Sequence, residues 1–487
     1  MKEKTSIFSG FIWKLLERSG LSIIHFAVQI VLARLLDPEL YGVLSIMLVF
    51  ITVGELFVES GFFSALVQNK DVTEEDYSSV LWLSMFVAAV MYGVVFLAAP
   101  LIADLYKIPN LEKPLRVLAL MLFPGALNLV YEAKATREMN FKKIFYCSTT
   151  GALVSGAIGL IVAYLGGGLW ALVVKSLLDV MASCMIMSFL APIKLRLFVD
   201  FRRVRVLFSF GWKLLASSIW GTIYGNLSTL IIGKKYSVEA LAYYERGGQF
   251  PDLIINTVNG AVDSVMFPAM SAEQEDPRKV KALMKNTIVI SSYLIFPMML
   301  GLAAVAEPLV CVFLTETWLP CVPFLQLCCL SMVLYPLHSC NVQAIKAMGR
   351  SDIFLKLEVI KTLMDVPFFL IALLCFDDPL ALAAYGTISS WVYLIVNSWP
   401  NKKIIDYSGL EQLRDCFSTL ALSTLMFGCV ILVRIPCAEA RLSNLATLMV
   451  QVLVGVVVYV LASIIFKPRP YRMALGMLKE MRNKDEN

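Results

Sequence analysis

The chain has 487 residues, 59% of them apolar and only 16% charged, with a formal net charge of +5 and a mean hydropathy of +0.74. A soluble domain carries about 25% charged residues, so this composition excludes a water-soluble globule, a disordered chain, a collagen and a disulfide framework. A spanning helix takes ~20 apolar residues, so the chain has room for about 14 and reads as an all-α polytopic membrane protein.

In chain order, apolar runs between charged or turn-rich breaks predict spans at 10–35, 41–67, 78–101, 115–134, 144–165, 168–191 and 205–233. The remaining seven are predicted at 241–270, 286–306, 321–346, 353–375, 379–400, 413–434 and 444–466. The first ends at Arg34 without a small-x-small cleavage site, which marks a transmembrane helix and not a removable signal peptide. Asp37-Pro38, Gly166-Gly167-Gly168, Asp378-Pro379 and Ile435-Pro436 read as tight turns. Residues 467–487 read as a basic amphipathic helix lying on the cytoplasmic surface. Most of the 11 cysteines lie inside apolar runs, where they act as small apolar residues. No CxxC or Cys/His ligand spacing occurs, and with only His25 and His338 no histidine metal centre is expected.

The basic residues orient the chain. With the N-terminus inside, 28 of the 42 Lys and Arg fall in cytoplasmic segments, 8 fall outside and 6 lie in or beside spans. That asymmetry predicts both termini on the cytoplasmic side, and the basic loops are topology signals that imply no nucleic acid.

An internal repeat runs at an offset of about 200 residues. Trp13-Lys14-Leu15-Leu16 returns as Trp212-Lys213-Leu214-Leu215, and Glu59-Ser60-Gly61-Phe62-Phe63-Ser64-Ala65 as Asp263-Ser264-Val265-Met266-Phe267-Pro268-Ala269. Ala99-Pro100-Leu101 returns as Glu307-Pro308-Leu309, and Lys134-Ala135 before Phe141 as Lys346-Ala347 before Phe354. The repeat is parallel and six spans long. It predicts two pseudo-symmetric six-helix halves, 1–200 and 201–403, two additional helices within 404–466 and the tail at 467–487, with a substrate path where the halves meet.

Polar residues inside the spans are the candidate functional groups, because a charge in hydrocarbon costs ~2.5 kcal/mol or more. Lys14, Arg18, Ser22, His25 and Gln29 share one helical stripe about 80° wide. Lys213, Ser217, Gly221, Tyr224 and Ser228 repeat it. Snorkelling at the interface accounts equally well for Lys14 and Lys213. Glu55 and Glu59 lie one turn apart, and Arg246, Gln249, Asn256, Gly260 and Asp263 form a broad stripe in span eight. Such carboxylates either pair with the cations, take up a coupling proton or Na⁺, or anchor helices structurally. Lys175/Asp179 and Lys361/Asp365 have the i,i+4 spacing of structural ion pairs. Nucleotide-binding, zinc-protease and serine-hydrolase motifs are absent, so no catalytic residue is expected.

Several segments carry a family resemblance. Leu32-Ala33-Arg34-Leu35-Leu36-Asp37-Pro38-Glu39-Leu40-Tyr41-Gly42 resembles the first external turn of the polysaccharide-transport family of oligosaccharide flippases, within the MOP (MATE-like) superfamily. Glu59-Ser60-Gly61-Phe62 with Ala65-Leu66-Val67-Gln68, Arg137-Glu138-Met139-Asn140-Phe141-Lys142, Leu241-Ala242-Tyr243-Tyr244-Glu245-Arg246 and Val265-Met266-Phe267-Pro268-Ala269 are similar to later family motifs. The similarity runs from about residue 5 to residue 360 and is nearest to the colanic-acid and lipopolysaccharide-type exporters. Two departures stand out: Glu59 where Asp is commoner, and Glu245-Arg246-Gly247-Gly248 in place of Ser-Arg-Ala.

The resemblance implies a flippase in the bacterial inner membrane that moves undecaprenyl-pyrophosphate-linked lipopolysaccharide, capsule or exopolysaccharide repeat units by alternating access. Polysaccharide polymerase and assembly proteins are its implied partners. It needs no cofactor beyond a coupling H⁺ or Na⁺. Arg18, Arg246, Lys14 and Lys213 would supply the positive field for the pyrophosphate. Glu59, Asp263, Glu55, His25, Gln29 and Asn256 would serve ion coupling or line the cavity. The alternatives are a cation-coupled MATE-type drug antiporter or a lipid II flippase. A membrane polysaccharide polymerase or ligase is a different class, disfavoured by the short external loops.

Overall fold

The computed structural model describes residues 20–59, 61–68, 72–190, 192–193 and 200–473; within these, the side chains of 201, 203–207, 209–211, 213–214, 261, 263–264 and 351 fall outside the description. Lys14 and Arg18 lie outside the described residues, and so does most of the expected tail helix, of which 469–473 is helical. Every regular element described is a helix. The chain gathers into two compact units, Met1–Glu245 and Arg246–Asn487.

The first unit begins with α1 (Gly20–Leu35). Asp37-Pro38 then starts α2 (Pro38–Glu59), since a proline at the first helical position loses no hydrogen bond. Gly61, at φ +69°, separates α2 from α3 (Phe62–Gln68), a left-handed kink that suits only glycine. α4 (Glu74–Tyr106) opens on a capping box, in which the Thr73 amide donates to Asp76 Oδ2 at 2.8 Å. Next come α5 (Glu112–Leu118), a 3-10 turn (Ala119–Met121) and α6 (Leu122–Arg137). The hairpin of α7 (Phe141–Tyr164) and α8 (Leu169–Leu190) turns at Gly166 and Gly168, both at positive φ. α9 (Phe201–Gly225) packs on α2, α3 and α4, α10 (Leu227–Lys235) follows, and α11 (Val238–Ala272) crosses the boundary between the units. Span seven therefore groups with the first unit. The expected boundary at residue 200 and the observed one at Glu245 differ by this packing. Gly42 is where α2 meets the start of α11, because a Cβ there would lie 1.8 Å from the Val238 carbonyl oxygen.

The second unit continues with α12 (Pro277–Ala304), α13 (Ala306–Phe313), a 3-10 segment (Glu316–Cys321), α14 (Val322–Met332) and α15 (Tyr335–Ala347). α16 (Ser351–Cys375), α17 (Pro379–Ile404), α18 (Gly409–Glu439) and α19 (Asn444–Phe466) complete it. The last two helices are built into this unit: Tyr293 on α12 donates to Ser463 Oγ at 2.8 Å, and Tyr459 donates to the Tyr293 carbonyl at 2.8 Å. A buried amide cluster ties α15, α17 and α18 together. Asn341 and Gln412 exchange hydrogen bonds of 2.7 and 3.0 Å, and Asn401 donates to Asn341 Oδ1 at 2.7 Å.

α6 and α15 both end in Schellman closures: the Asn140 amide meets the Ala135 carbonyl with Met139 at φ +55°, and the Arg350 amide meets the Ile345 carbonyl with Gly349 at φ +69°. Two expectations change. Ile435-Pro436 is not a turn, because α18 runs on to Glu439 and Pro436 sits in its last turns, where it removes one hydrogen bond without ending the helix. Among the described residues, ten helices are long and apolar enough to cross a membrane, or eleven with the bent pair α14–α15, rather than 14. α1 is short as described, α9 is thinned by its polar stripe, and α16 carries Glu358, Lys361 and Asp365.

Candidate functional site

Small residues set the geometry of the first unit. Gly151, Ser155, Gly159 and Ala163 recur every fourth residue on α7 and let α8 approach closely. A Cβ on Gly159 would lie 2.7 Å from Lys175 Cβ, and one on Gly151 2.4 Å from Ser183 Oγ. This contact brings three titratable groups together. Lys175 Nζ lies 3.2 Å from His25 Nδ1 and 3.4 Å from Asp179 Oδ2, and Ser155 Oγ donates to Asp179 Oδ1 at 3.3 Å. With the ammonium donating to Nδ1, the imidazole proton sits on Nε2, 3.6 Å from Asp179 Oδ2. The Lys175/Asp179 pair therefore forms as its spacing predicts, and His25 closes it into a triad. The Lys175 side chain is only 8% exposed and the Asp179 side chain 21%, so each charge depends on the other for its solvation.

On the same helix, Val180 borders a cavity of about 430 Å³ between α2, α6 and α8. Its polar lining is acidic: Glu55 and Glu59 from α2, with Glu132 and Asn128 from α6. The expected Glu55/Glu59 pair thus gains a third carboxylate. Glu132 escaped notice because it falls at the predicted end of span four, whereas α6 carries on to Arg137; its i,i+4 relation to Asn128 was the available signal.

In the second unit Arg246 is 6% exposed. Its guanidinium donates to Gln249 Oε1, and its Cζ stands 5.2 Å from the centre of the fully buried Trp318 ring. Gly247 permits this placement. A Cβ there would meet the Leu325 amide nitrogen and Phe324 Cβ at 2.8 Å, which gives a steric reason for glycine where the family resemblance has alanine. A flat, delocalised cation stacked on indole keeps its charge at lower desolvation cost than an ammonium would.

A second polar cavity, about 440 Å³ and within this unit, is lined by His338, Gln343, Ser390, Tyr393, Asn397 and Lys361. His338 Nε2 lies 3.1 Å from Ser390 Oγ. The Lys361 ammonium meets Glu358 Oε1 at 2.6 Å, and Asp365 accepts from the Tyr393 hydroxyl. Lys361 also lies 5.5 Å from the Tyr393 ring centre.

Of the other expected site residues, Gln29 is half-buried on α1 and Asn256 is exposed on α11. Lys213 lies on α9 and Asp263 on α11, with side chains outside the description. Of the four cations expected to share a cavity, only the Arg246 side chain is described; the described polar groups form clusters within each unit.

Residues 31–323 match a family described as polysaccharide biosynthesis protein. The lipopolysaccharide biosynthesis protein WzxC of Escherichia coli (strain K12) is 24% identical over 373 residues, 75% of each chain. The succinoglycan biosynthesis transport protein ExoT of Rhizobium meliloti (strain 1021) is 27% identical over 345 residues, 70% of this chain and 69% of the relative. In fold, the chain is similar to the lipid II flippase MurJ in an inward closed conformation, with a TM-score of 0.75 and 15% identity over 96% of this chain and 100% of that one. It also resembles a multidrug resistance MATE family transporter of the MOP superfamily in an inward-facing conformation, with a TM-score of 0.61 and 14% identity over 80% and 96% of the two chains. The protein is an all-helical, multi-pass membrane protein of the MOP-transporter fold, and it belongs to the polysaccharide biosynthesis protein family.

Proposed function

We propose that this protein is a flippase, and not an enzyme, that carries polyprenyl-pyrophosphate-linked oligosaccharide, of the undecaprenyl kind, across a bacterial cytoplasmic membrane by alternating access. Membership of a polysaccharide biosynthesis family, with a named transport protein among its relatives, carries the reading. The burial of Arg246 in α11 supports it, since a buried guanidinium is the side chain suited to a pyrophosphate. Lys14, Arg18 and Lys213 are proposed to add to that positive field. The acidic cavity of Glu55, Glu59 and Glu132 is proposed as the place where H⁺ or Na⁺ couples to transport, with Asp263, His25, Gln29 and Asn256 as further polar groups along the path. Both termini are proposed to lie on the cytoplasmic side, a reading supported by the distribution of basic residues, and a polysaccharide polymerase and assembly proteins are the proposed partners.

The same acidic cavity favours one other reading, a MATE-type antiporter of organic cations, in which the three carboxylates would take the substrate itself. Arg246→Gln separates the two. Under the flippase reading it abolishes export of lipid-linked glycan, and lipid-linked repeat units accumulate on the cytoplasmic leaflet. Full export with this variant, or drug extrusion that survives it, would overturn the reading.

A further inference from the structure

A third cavity, about 650 Å³, lies at one end of the second unit, between the first turns of α16, the last turns of α17 and the Met348–Arg350 connection. Arg350, Lys356 and Lys403 line it, with Asp352 as the one carboxylate. Ile353, Leu357, Ile360 and Trp399 make its apolar wall. Asp352 engages only one edge of the Arg350 guanidinium, at Nε (3.0 Å) and Nη2 (3.1 Å). Lys403 lies 5.8 Å from the ring centre of Trp399, a side chain 64% exposed.

The groove carries an excess of positive charge, three cations to one carboxylate. Elsewhere at the same end of the unit, lysines meet acids: Lys285 pairs with Asp415 at 2.7 Å, Lys281 with Asp406 and Glu411 at 3.7 Å, and Lys279 with Glu273 at 2.9 Å. The apolar wall also continues along both helices. Val359 and Leu363 on α16 and Trp391 and Ile395 on α17 are all exposed, in helices that pack side by side. A cationic mouth leading onto an exposed apolar seam fits an amphipathic anion whose charge sits at the membrane surface and whose chains lie in hydrocarbon. Tryptophan at the junction matches the headgroup level.

We propose that this groove binds an anionic glycerophospholipid from the surrounding leaflet, with the phosphate at Arg350, Lys356 and Lys403, the glycerol region over Trp399, and an acyl chain along Leu357 and Ile360. The site lies within the second unit and is independent of the flippase reading. A lipid held here would brace these ends of α16 and α17 against the membrane.

The test is native mass spectrometry of the full chain, titrated with phosphatidylglycerol and with phosphatidylcholine of the same acyl chains. Each interfacial cation is worth roughly fivefold in affinity for an anionic lipid, so Lys356→Gln/Lys403→Gln is expected to weaken phosphatidylglycerol binding about 25-fold and leave phosphatidylcholine unchanged. Both lysines are exposed, so the variant keeps its fold; Arg350→Gln is a second, independent variant with an expected fivefold loss. Retained phosphatidylglycerol preference in the double variant would overturn the proposal. Inorganic phosphate competing at the lipid's own concentration would also overturn it, since the acyl seam would then be idle. So would undecaprenyl phosphate displacing phosphatidylglycerol with tenfold higher affinity, lost in the same variants, since the groove would then belong to the polyprenyl substrate.

Discussion

Lys175→Met removes the ammonium at the centre of the triad while keeping the length and apolar stem of the side chain. Asp179 then keeps the Ser155 hydroxyl at 3.3 Å and the His25 ring at 3.6 Å, and loses the cation at 3.4 Å. Breaking a fully buried ion pair costs about 3–5 kcal/mol. Asp179 retains 21% of its side-chain exposure, and two polar neighbours remain, so the expected cost falls to roughly 1–3 kcal/mol. Removing both charges, as Lys175→Met/Asp179→Asn, leaves no orphan and should recover most of that loss, to within about 1 kcal/mol of the wild type. The assay is thermal unfolding of the detergent-solubilised protein. For a chain this long roughly 1–2 °C corresponds to each kcal/mol, so the single variant should melt several degrees low and the double variant near the wild type. A double variant less stable than either single one would refute the reasoning, because it would show that packing and not charge compensation holds these residues together.

Gly42→Ala should strongly destabilise the chain, since its Cβ would meet the Val238 carbonyl oxygen at 1.8 Å, whereas Gly221→Ala on α9, with nothing within 4 Å, should be neutral or slightly stabilising; paired melting curves check this. Asn401→Leu should cost about 1–3 kcal/mol by removing its hydrogen bonds to the Asn341 carbonyl (3.1 Å) and Oδ1 (2.7 Å), read as a lowered unfolding midpoint. At the α17–α18 connection, burial, followed by the hydrogen bond to Asp415 at 2.8 Å, pushes the Tyr407 phenol above the ordinary tyrosine range. A folded-state pKa above the unfolded value means that this bond contributes fully below pH ~10 and is lost as pH rises beyond it. The stability gap between wild type and Tyr407→Phe, about 1 kcal/mol at pH 7 to 9, should therefore close in strongly alkaline solution; a gap that widened there would contradict the assignment.

Much of the architecture was legible where one local rule decides the outcome. Proline at the first helical position marked the starts of α2 and α17, and positive-φ glycines marked the α7–α8 turn. The same reading failed at Pro436, because whether a proline ends a helix depends on what holds the neighbouring turns, and α18 is long enough to absorb the loss. Side-chain partners were harder. Helical periodicity placed His25 in a stripe with Lys14 and Arg18, but its observed partners lie 150 positions away on α8, brought there by glycines whose role is visible only once two helices are in contact. Lys361 meets Glu358, one turn before it, a partner that the Lys361/Asp365 spacing did not single out. Arg246 was readable as a cation inside a span, yet its neighbour Trp318 belongs to a 3-10 segment that hydropathy alone does not resolve.

The most direct measurement of the central claim is leaflet exchange in proteoliposomes made from the full chain. Polyprenyl-pyrophosphate-linked oligosaccharide is incorporated in both leaflets, and the fraction open to a membrane-impermeant sugar-oxidising reagent is followed over time. The account predicts that wild-type protein exposes nearly the whole pool while Arg246→Gln liposomes stall at about half, the share of one leaflet in a symmetric bilayer. Equal stalling at one leaflet's share for wild-type and protein-free liposomes, with an imposed H⁺ or Na⁺ gradient present, would contradict it.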